Sequence, residues 1–276
     1  MVKLDDVLKT IDTNQNLSLE IKENIKHLLT VYATNIENID FEAINKNLAD
    51  LKVEESNKYI IKEPLKYVDA DSVIYINSAE ADKDYDYRFL LMRELMLMQT
   101  YKDDITQQKK ENFNPIYEGY ASICASYLVG NESSINLYED EMITVNLLSQ
   151  IVGKESIEQL FVNNDSTLLV DNLSKTGNSV NDLKSLIDIM NYNMSARNHE
   201  RGKSLLSDIQ IKLINMFANK NDKNIEDVEN FKNNLYGNNI VFDTDADKYK
   251  DINKVYNTYD EMVNNLNLNQ TIAKTR

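Results

Sequence analysis

Two short runs hold the residue types that could do chemistry. The first is Arg93-Glu94-Leu95-Met96-Leu97-Met98 and the second is Tyr117-Glu118-Gly119-Tyr120-Ala121-Ser122. In each, charge sits inside an otherwise apolar stretch. Burying a charge is costly unless it is paired. Glu94 and Glu118 therefore either reach water, meet a cation, or act as a carboxylate acid/base pair in a hydrolase. Metal or nucleophile chemistry has little else to draw on. The chain has two histidines, His27 and His199, both isolated in polar helical contexts, and one cysteine, Cys124, set among Ile123, Ala125 and Leu128. These read as surface or capping imidazoles and a buried, inert thiol.

The elements that must position the two runs are helices. Residues 87–101 carry apolar side chains in nearly every direction, as do residues 116–129. A helix that is apolar all round is buried on all sides. Gly119, Ala121, Ser122, Ala125 and Ser126 would let a second helix approach closely. Asp82, Asp84 and Asp86 precede the first of these helices and favour its positive N-terminal end. Two short β-branched, aromatic segments lie upstream, Tyr59-Ile60-Ile61 and Ser72-Val73-Ile74-Tyr75-Ile76. Pro64 and the Asp69-Ala70-Asp71 turn separate them, which predicts two strands of a small antiparallel sheet.

The first 50 residues or so read as two amphipathic helices. One is marked by Leu19, Ile21, Ile25, Leu28, Leu29 and Tyr32, the other by Phe41, Ile44, Leu48 and Leu51, with Asp40 as its N-cap. From about residue 85 helix follows helix, near 85–102, 115–129, 134–152, 154–162, 166–175, 179–195, 202–219, 225–236 and 246–266. Gly130, Gly153, Gly177 and Gly237 fall near helix ends, where a left-handed residue is wanted.

The chain of 276 residues is long enough for one large domain or two small ones. Its formal charge of −15 repels nucleic-acid phosphates and anionic membrane surfaces. One cysteine allows no intramolecular disulfide and suits a reducing compartment. No signal segment and no stretch of roughly 20 apolar residues is visible, so a cytoplasmic protein is expected. The abundance of Asn, Lys, Ile and Asp reads as a bias toward AT-rich codons.

With these elements in order, the chain resembles the zincin metallopeptidases of the gluzincin kind, and most of all the zincin-like proteins of low-GC bacteria and their mobile elements. Those carry a run like His-Glu-Leu-Leu-His-Met, then a segment like Asn-Glu-Gly-Tyr-Thr-Glu. The likeness covers roughly residues 58–175, and Ser72–Asn77 resembles the family's edge strand. It implies that Arg93 and Leu97 occupy the two zinc-histidine positions, Glu94 the general base and Glu118 the third ligand, while Ser122 stands where relatives often have a second acid. Arg93 offers only donors and Leu97 has no donor atom for a metal. The resemblance thus implies an inactive member, with no metal and no cofactor. A guanidinium in place of the metal could pair with Glu118, with Leu97 filling the apolar remainder.

Other chemistry has no signature. Gly-rich phosphate loops, Cys-x-x-Cys pairs and Gly-x-Ser-x-Gly elbows are absent. Asp243-Thr244-Asp245-Ala246-Asp247 resembles the start of a calcium loop, but Lys248 holds the position that needs glycine. Of 16 tyrosines, Tyr117, Tyr120 and Tyr127 flank the former cleft. Tyrosine suits a binding surface and also half-buried packing.

The expected fold is α+β, mostly α: a zincin-like domain over residues 1–177, with a small antiparallel sheet, and a helical region over 178–276. The expected function is that of a non-catalytic pseudopeptidase, a binding or regulatory module for an unknown protein or peptide partner, not for nucleic acid or membrane. Tyr117, Tyr120 and Ser122 would line its cleft. A structural or assembly protein without a working cleft, and a hydrolase using Glu94 and Glu118, stand as alternatives.

Overall fold

The computed structural model describes residues 2–56, 61, 63–102, 113–129 and 137–175, and single positions beyond. The helices expected after residue 178, and the domain boundary at 177/178, lie outside the described residues, as do Gly130, Gly177 and Gly237, Tyr59 and Ile60, His199 and the Asp243 to Lys248 run. Within the described residues the fold is α+β and mostly α, in two compact units. One comprises the described residues up to Lys102 together with 124–129. The other comprises 113–123 and 137–175.

The first unit opens with three helices: α1 (Leu4–Thr13), α2 (Leu19–Asn35) and α3 (Phe41–Ala49). Helix α1 was not expected, because residues 1–17 read as polar and acidic, yet Leu4, Val7, Leu8 and Ile11 recur at helical spacing and Val7 and Ile11 are buried. Helices α2 and α3 follow their periodicity. Ile21, Ile25, Leu28, Leu29, Tyr32, Ile44 and Leu48 are buried, and Leu51 follows them into the core, but Leu19 stays 69% exposed. Ser18 caps α2 by accepting from the Ile21 N–H, and Asp40 caps α3 by accepting from the Ala43 N–H.

Three strands follow: β1 (Lys52–Ser56), β2 (Leu65–Val68) and β3 (Val73–Asn77), in spatial order β1-β3-β2. Strand β3 has an antiparallel neighbour, but that neighbour is Leu65–Val68, in the stretch expected to separate the two strands, and β1 joins β3 in parallel, so the sheet is mixed. Lys-Val-Glu-Glu-Ser carries no β-branched run to announce it. It is a strand because β3 pairs with it, and only Val53 and Ser56 turn inward. Ile61, expected in a strand, is buried outside one, with its carbonyl accepting from Asn77 Nδ2. Between β2 and β3 a short 3-10 turn at Asp69–Asp71 ends on Ser72, which is left-handed at φ 54°.

Helix α4 (Tyr87–Met98) completes this unit, packed against α2, α3 and β2. All 12 of its residues are buried, as its all-round apolar character requires. Asp86 caps it, accepting from the Arg88 and Phe89 N–H groups, and also holds the Arg88 guanidinium.

Helix α5 (Asn114–Val129) contributes residues to both units. In the second unit α6 (Glu139–Val152), α7 (Lys154–Asn163) and α8 (Thr167–Ser174) pack on one another. One residue, Gly153, ends α6 and begins α7 at φ +87°, a backbone state open to glycine. Gly119 serves differently. A Cβ there would lie 2.5 Å from the Glu141 carbonyl oxygen and 2.6 Å from Val145 Cγ2, so α6 crosses α5 where no side chain fits.

Candidate functional site

Helix α4 places Arg93, Glu94 and Leu97 in the core. Arg93 and Glu94 are each 2% exposed and Leu97 is 1%. Both oxygens of Glu94 are engaged. Oε1 accepts from the Arg93 guanidinium, and Oε2 accepts from the Tyr67 N–H of β2 at 2.9 Å. The register of β2 on β3 explains the second bond. Pro64 accepts from the Asn77 N–H, so in this antiparallel ladder Tyr67, three residues on, turns its own N–H away from β3. A carboxylate from α4 satisfies it, and a buried backbone donor needs such a partner.

Two more charges join this pair. Lys66 on β2 meets Glu63 at 2.8 Å, with their side chains 33% and 25% exposed. Burial works to raise the Glu63 carboxyl, but the Lys66 ammonium, with Arg93 beyond it, holds it down at about 2. Burial likewise works against the Lys66 charge, and the Glu63 and Glu94 carboxylates more than offset it, raising Lys66 above the ordinary lysine range. Positive and negative groups thus alternate from Lys66 and Glu63 to Arg93 and Glu94. Tyr101 lies near them. Its phenol is pushed up by burial and by the Glu94 carboxylate, and its ring stands edge-on to Tyr67 at 5.5 Å.

The end of α4 is fixed by amides. Asn47 Nδ2 donates to the carbonyls of Ala43, Met98 and Tyr101, while its Oδ1 accepts from the Tyr67 hydroxyl. Gln99 Nε2 donates to the Tyr32 hydroxyl at 2.6 Å, and Gln99 Oε1 accepts from the Asp40 N–H. Lys102 closes the group on Asp40 at 2.6 Å.

Glu118, Tyr117, Tyr120 and Ser122 are placed by α5 in the second unit, and all four are buried. The Tyr117 hydroxyl donates to Asn164 Oδ1 at 2.7 Å, and the Tyr120 hydroxyl reaches Glu158 at 3.4 Å. Both rings pack on Phe161 of α7, with centroids 6.0 and 4.8 Å away. Ser122 Oγ turns back to the Glu118 carbonyl, within the helix. Tyr127 is half-buried. Tyr117, Tyr120 and Ser122, expected as cleft lining, each make one of these bonds within the second unit.

A zinc ion of the zincin kind does not fit the residues present. At the positions that the resemblance equates with two zinc histidines stand a guanidinium engaged with Glu94 and a buried hydrocarbon, and Glu94 itself accepts from two donors. Among the described residues no group of three or more His, Cys, Asp and Glu side chains is arranged to hold a metal. Cys124 is a buried thiol, as its neighbours suggested.

Sequence reasoning missed Glu63, Lys66 and the Tyr67 N–H. The usable signal was the charge itself: two ionic residues inside an apolar helix demand partners, and Lys66 and Glu63 lie upstream, on and just before β2. No described helix is long and apolar enough to cross a membrane. Compared with protein-family models, curated proteins and solved structures, the chain matches none.

Proposed function

We propose that the chain is a zincin-like protein without catalysis, bacterial and cytoplasmic, in which the former active-site helix serves as scaffold. It works as a binding or regulatory module for a protein or peptide. The observation that carries this reading is the state of Glu94. A general base needs a free lone pair directed at water. Here one oxygen holds a guanidinium and the other a backbone N–H, both away from solvent. The same observation weighs against a hydrolase built on Glu94 and Glu118.

One further observation favours the related reading of a structural or assembly protein with no working cleft. Tyr117, Tyr120 and Ser122 are buried and each bonds a residue of its own unit, which leaves a ligand less to hold.

A calorimetric zinc titration of chelator-stripped protein, with Glu118→Ala as control and a peptidase assay alongside, tests the proposal. Neither zinc binding nor peptide cleavage is expected. Stoichiometric zinc uptake that Glu118→Ala abolishes would overturn it and restore a metal-dependent hydrolase.

A further inference from the structure

Among the described residues, strand β1 lies at one end of the sheet and pairs with β3 alone. Its register on β3 is residue to residue, without a bulge, and the Lys52 N–H donates to the Ser72 carbonyl at 2.9 Å. Along a strand, successive residues turn their N–H and C=O to opposite edges. Val53 therefore turns both away from β3, and no described residue bonds either group. At the other edge of the sheet the outward Tyr67 N–H of β2 is held by Glu94.

Natural proteins guard an open edge with charge, proline or a bulge. Strand β1 has charge alone. The Val53 side chain is buried, while Lys52 and Glu54 on either side of it are exposed and make no ion pair among the described residues. Reversed end to end, the run Lys52-Val53-Glu54 is its own electrostatic complement. A two-fold axis through Val53 sets Lys52 of each chain opposite the partner's Glu54. It also sets the open N–H and C=O of each Val53 against those of the other. An antiparallel ladder favours both pairings. An axis through Glu54 would set that carboxylate against itself, so charge selects the Val53 register.

We propose that β1 is a self-pairing edge, through which two copies of the chain join antiparallel in a two-fold dimer. The Val53 residues exchange main-chain hydrogen bonds, Lys52 pairs with the partner's Glu54 on both sides of the axis, and one sheet runs through in the order β2-β3-β1-β1-β3-β2. Such a contact is isologous, as a closed dimer requires. It is also short, at the low end of specific interfaces, so the dimer is reversible and forms as concentration rises. The pairing goes beyond the functional reading above and does not depend on it.

Sedimentation equilibrium of the full chain at rising concentration tests it, with charges reversed at exposed positions that folding tolerates. The parent should dimerise. Lys52→Glu and Glu54→Lys each set like charges opposite one another, and each should weaken the dimer about tenfold or more. The two single variants mixed together should pair again. The double variant, Lys52→Glu with Glu54→Lys, should return to within about threefold of the parent. The single variants shift net charge in opposite directions, so an effect of bulk charge would drive them apart instead. Amide exchange reads the register. The Val53 N–H should slow about tenfold once nine chains in ten are paired, while the Lys52 and Glu54 N–H groups, which face β3, should not change. A parent that stays monomeric overturns the proposal and leaves the edge to a strand from another protein. Single variants that dimerise like the parent, a mixture that fails to pair, or a dimer whose Val53 amide exchanges as in the monomer overturn it too.

Discussion

Glu94 shows how one side chain can serve two elements at once. It neutralises its own neighbour, Arg93, and satisfies a backbone donor on β2. Glu94→Ala removes both services from a site 2% exposed. The variant should lose about 3–5 kcal/mol in chemical denaturation, the cost of breaking a buried pair from one side. Glu94→Gln keeps an oxygen for the Tyr67 N–H and should lose less. Equal losses in the two variants would mean that the charge of Glu94 contributes nothing. At this scale the sequence was half legible. That Arg93 and Glu94 needed partners followed from their apolar neighbours. That one partner would be a main-chain N–H did not, since every non-proline residue offers one and the register of β2 decides which of them faces α4.

Among the elements, two glycines make opposite demands. Gly119 has ordinary helical surroundings but no room, with the Glu141 backbone where a Cβ would go. Gly153 has open space around it but a positive φ of 87°. Gly119→Ala should cost about 1–3 kcal/mol as overpacking, less about 1 kcal/mol returned by helix propensity. Gly153→Ala should cost about 1–3 kcal/mol as backbone strain alone. Thermal melts of both variants, and of each with Val145→Ala added, separate the causes. The truncation should rescue part of the Gly119 variant and none of the Gly153 variant, and a common response would refute this distinction. The small residues of α5 announced a close helix crossing, and the break near Gly153 was equally plain. Helix α1 and strand β1 were not. Helix α1 does carry a period, in Leu4, Val7, Leu8 and Ile11, hidden by the acidic residues around it, whereas Lys52–Ser56 carries none and is defined by its pairing with β3. Parallel pairing of β1 with β3 was hidden for the same reason.

For the molecule as a whole, burial of its single thiol provides a gauge of integrity. Cys124 is fully buried, near enough to Tyr32 that burial first, and then the thiol, push that phenol up. A thiol reagent should therefore modify the native chain on the order of a thousandfold more slowly than the denatured chain, since reaction must wait for opening. Rapid labelling of native protein, followed by absorbance, would contradict that burial. The ties on α4 carry a different consequence, for the order in which the chain is made. Tyr32, Asp40, Asn47 and Tyr67, which hold Gln99, the end of α4 and Glu94, all precede it, the farthest by 67 residues. At ~5–20 residues per second a ribosome completes Tyr32 about 3–13 s before Gln99. The seat for this apolar helix is thus synthesised before the helix, which shortens the time its greasy surface is offered to other nascent chains.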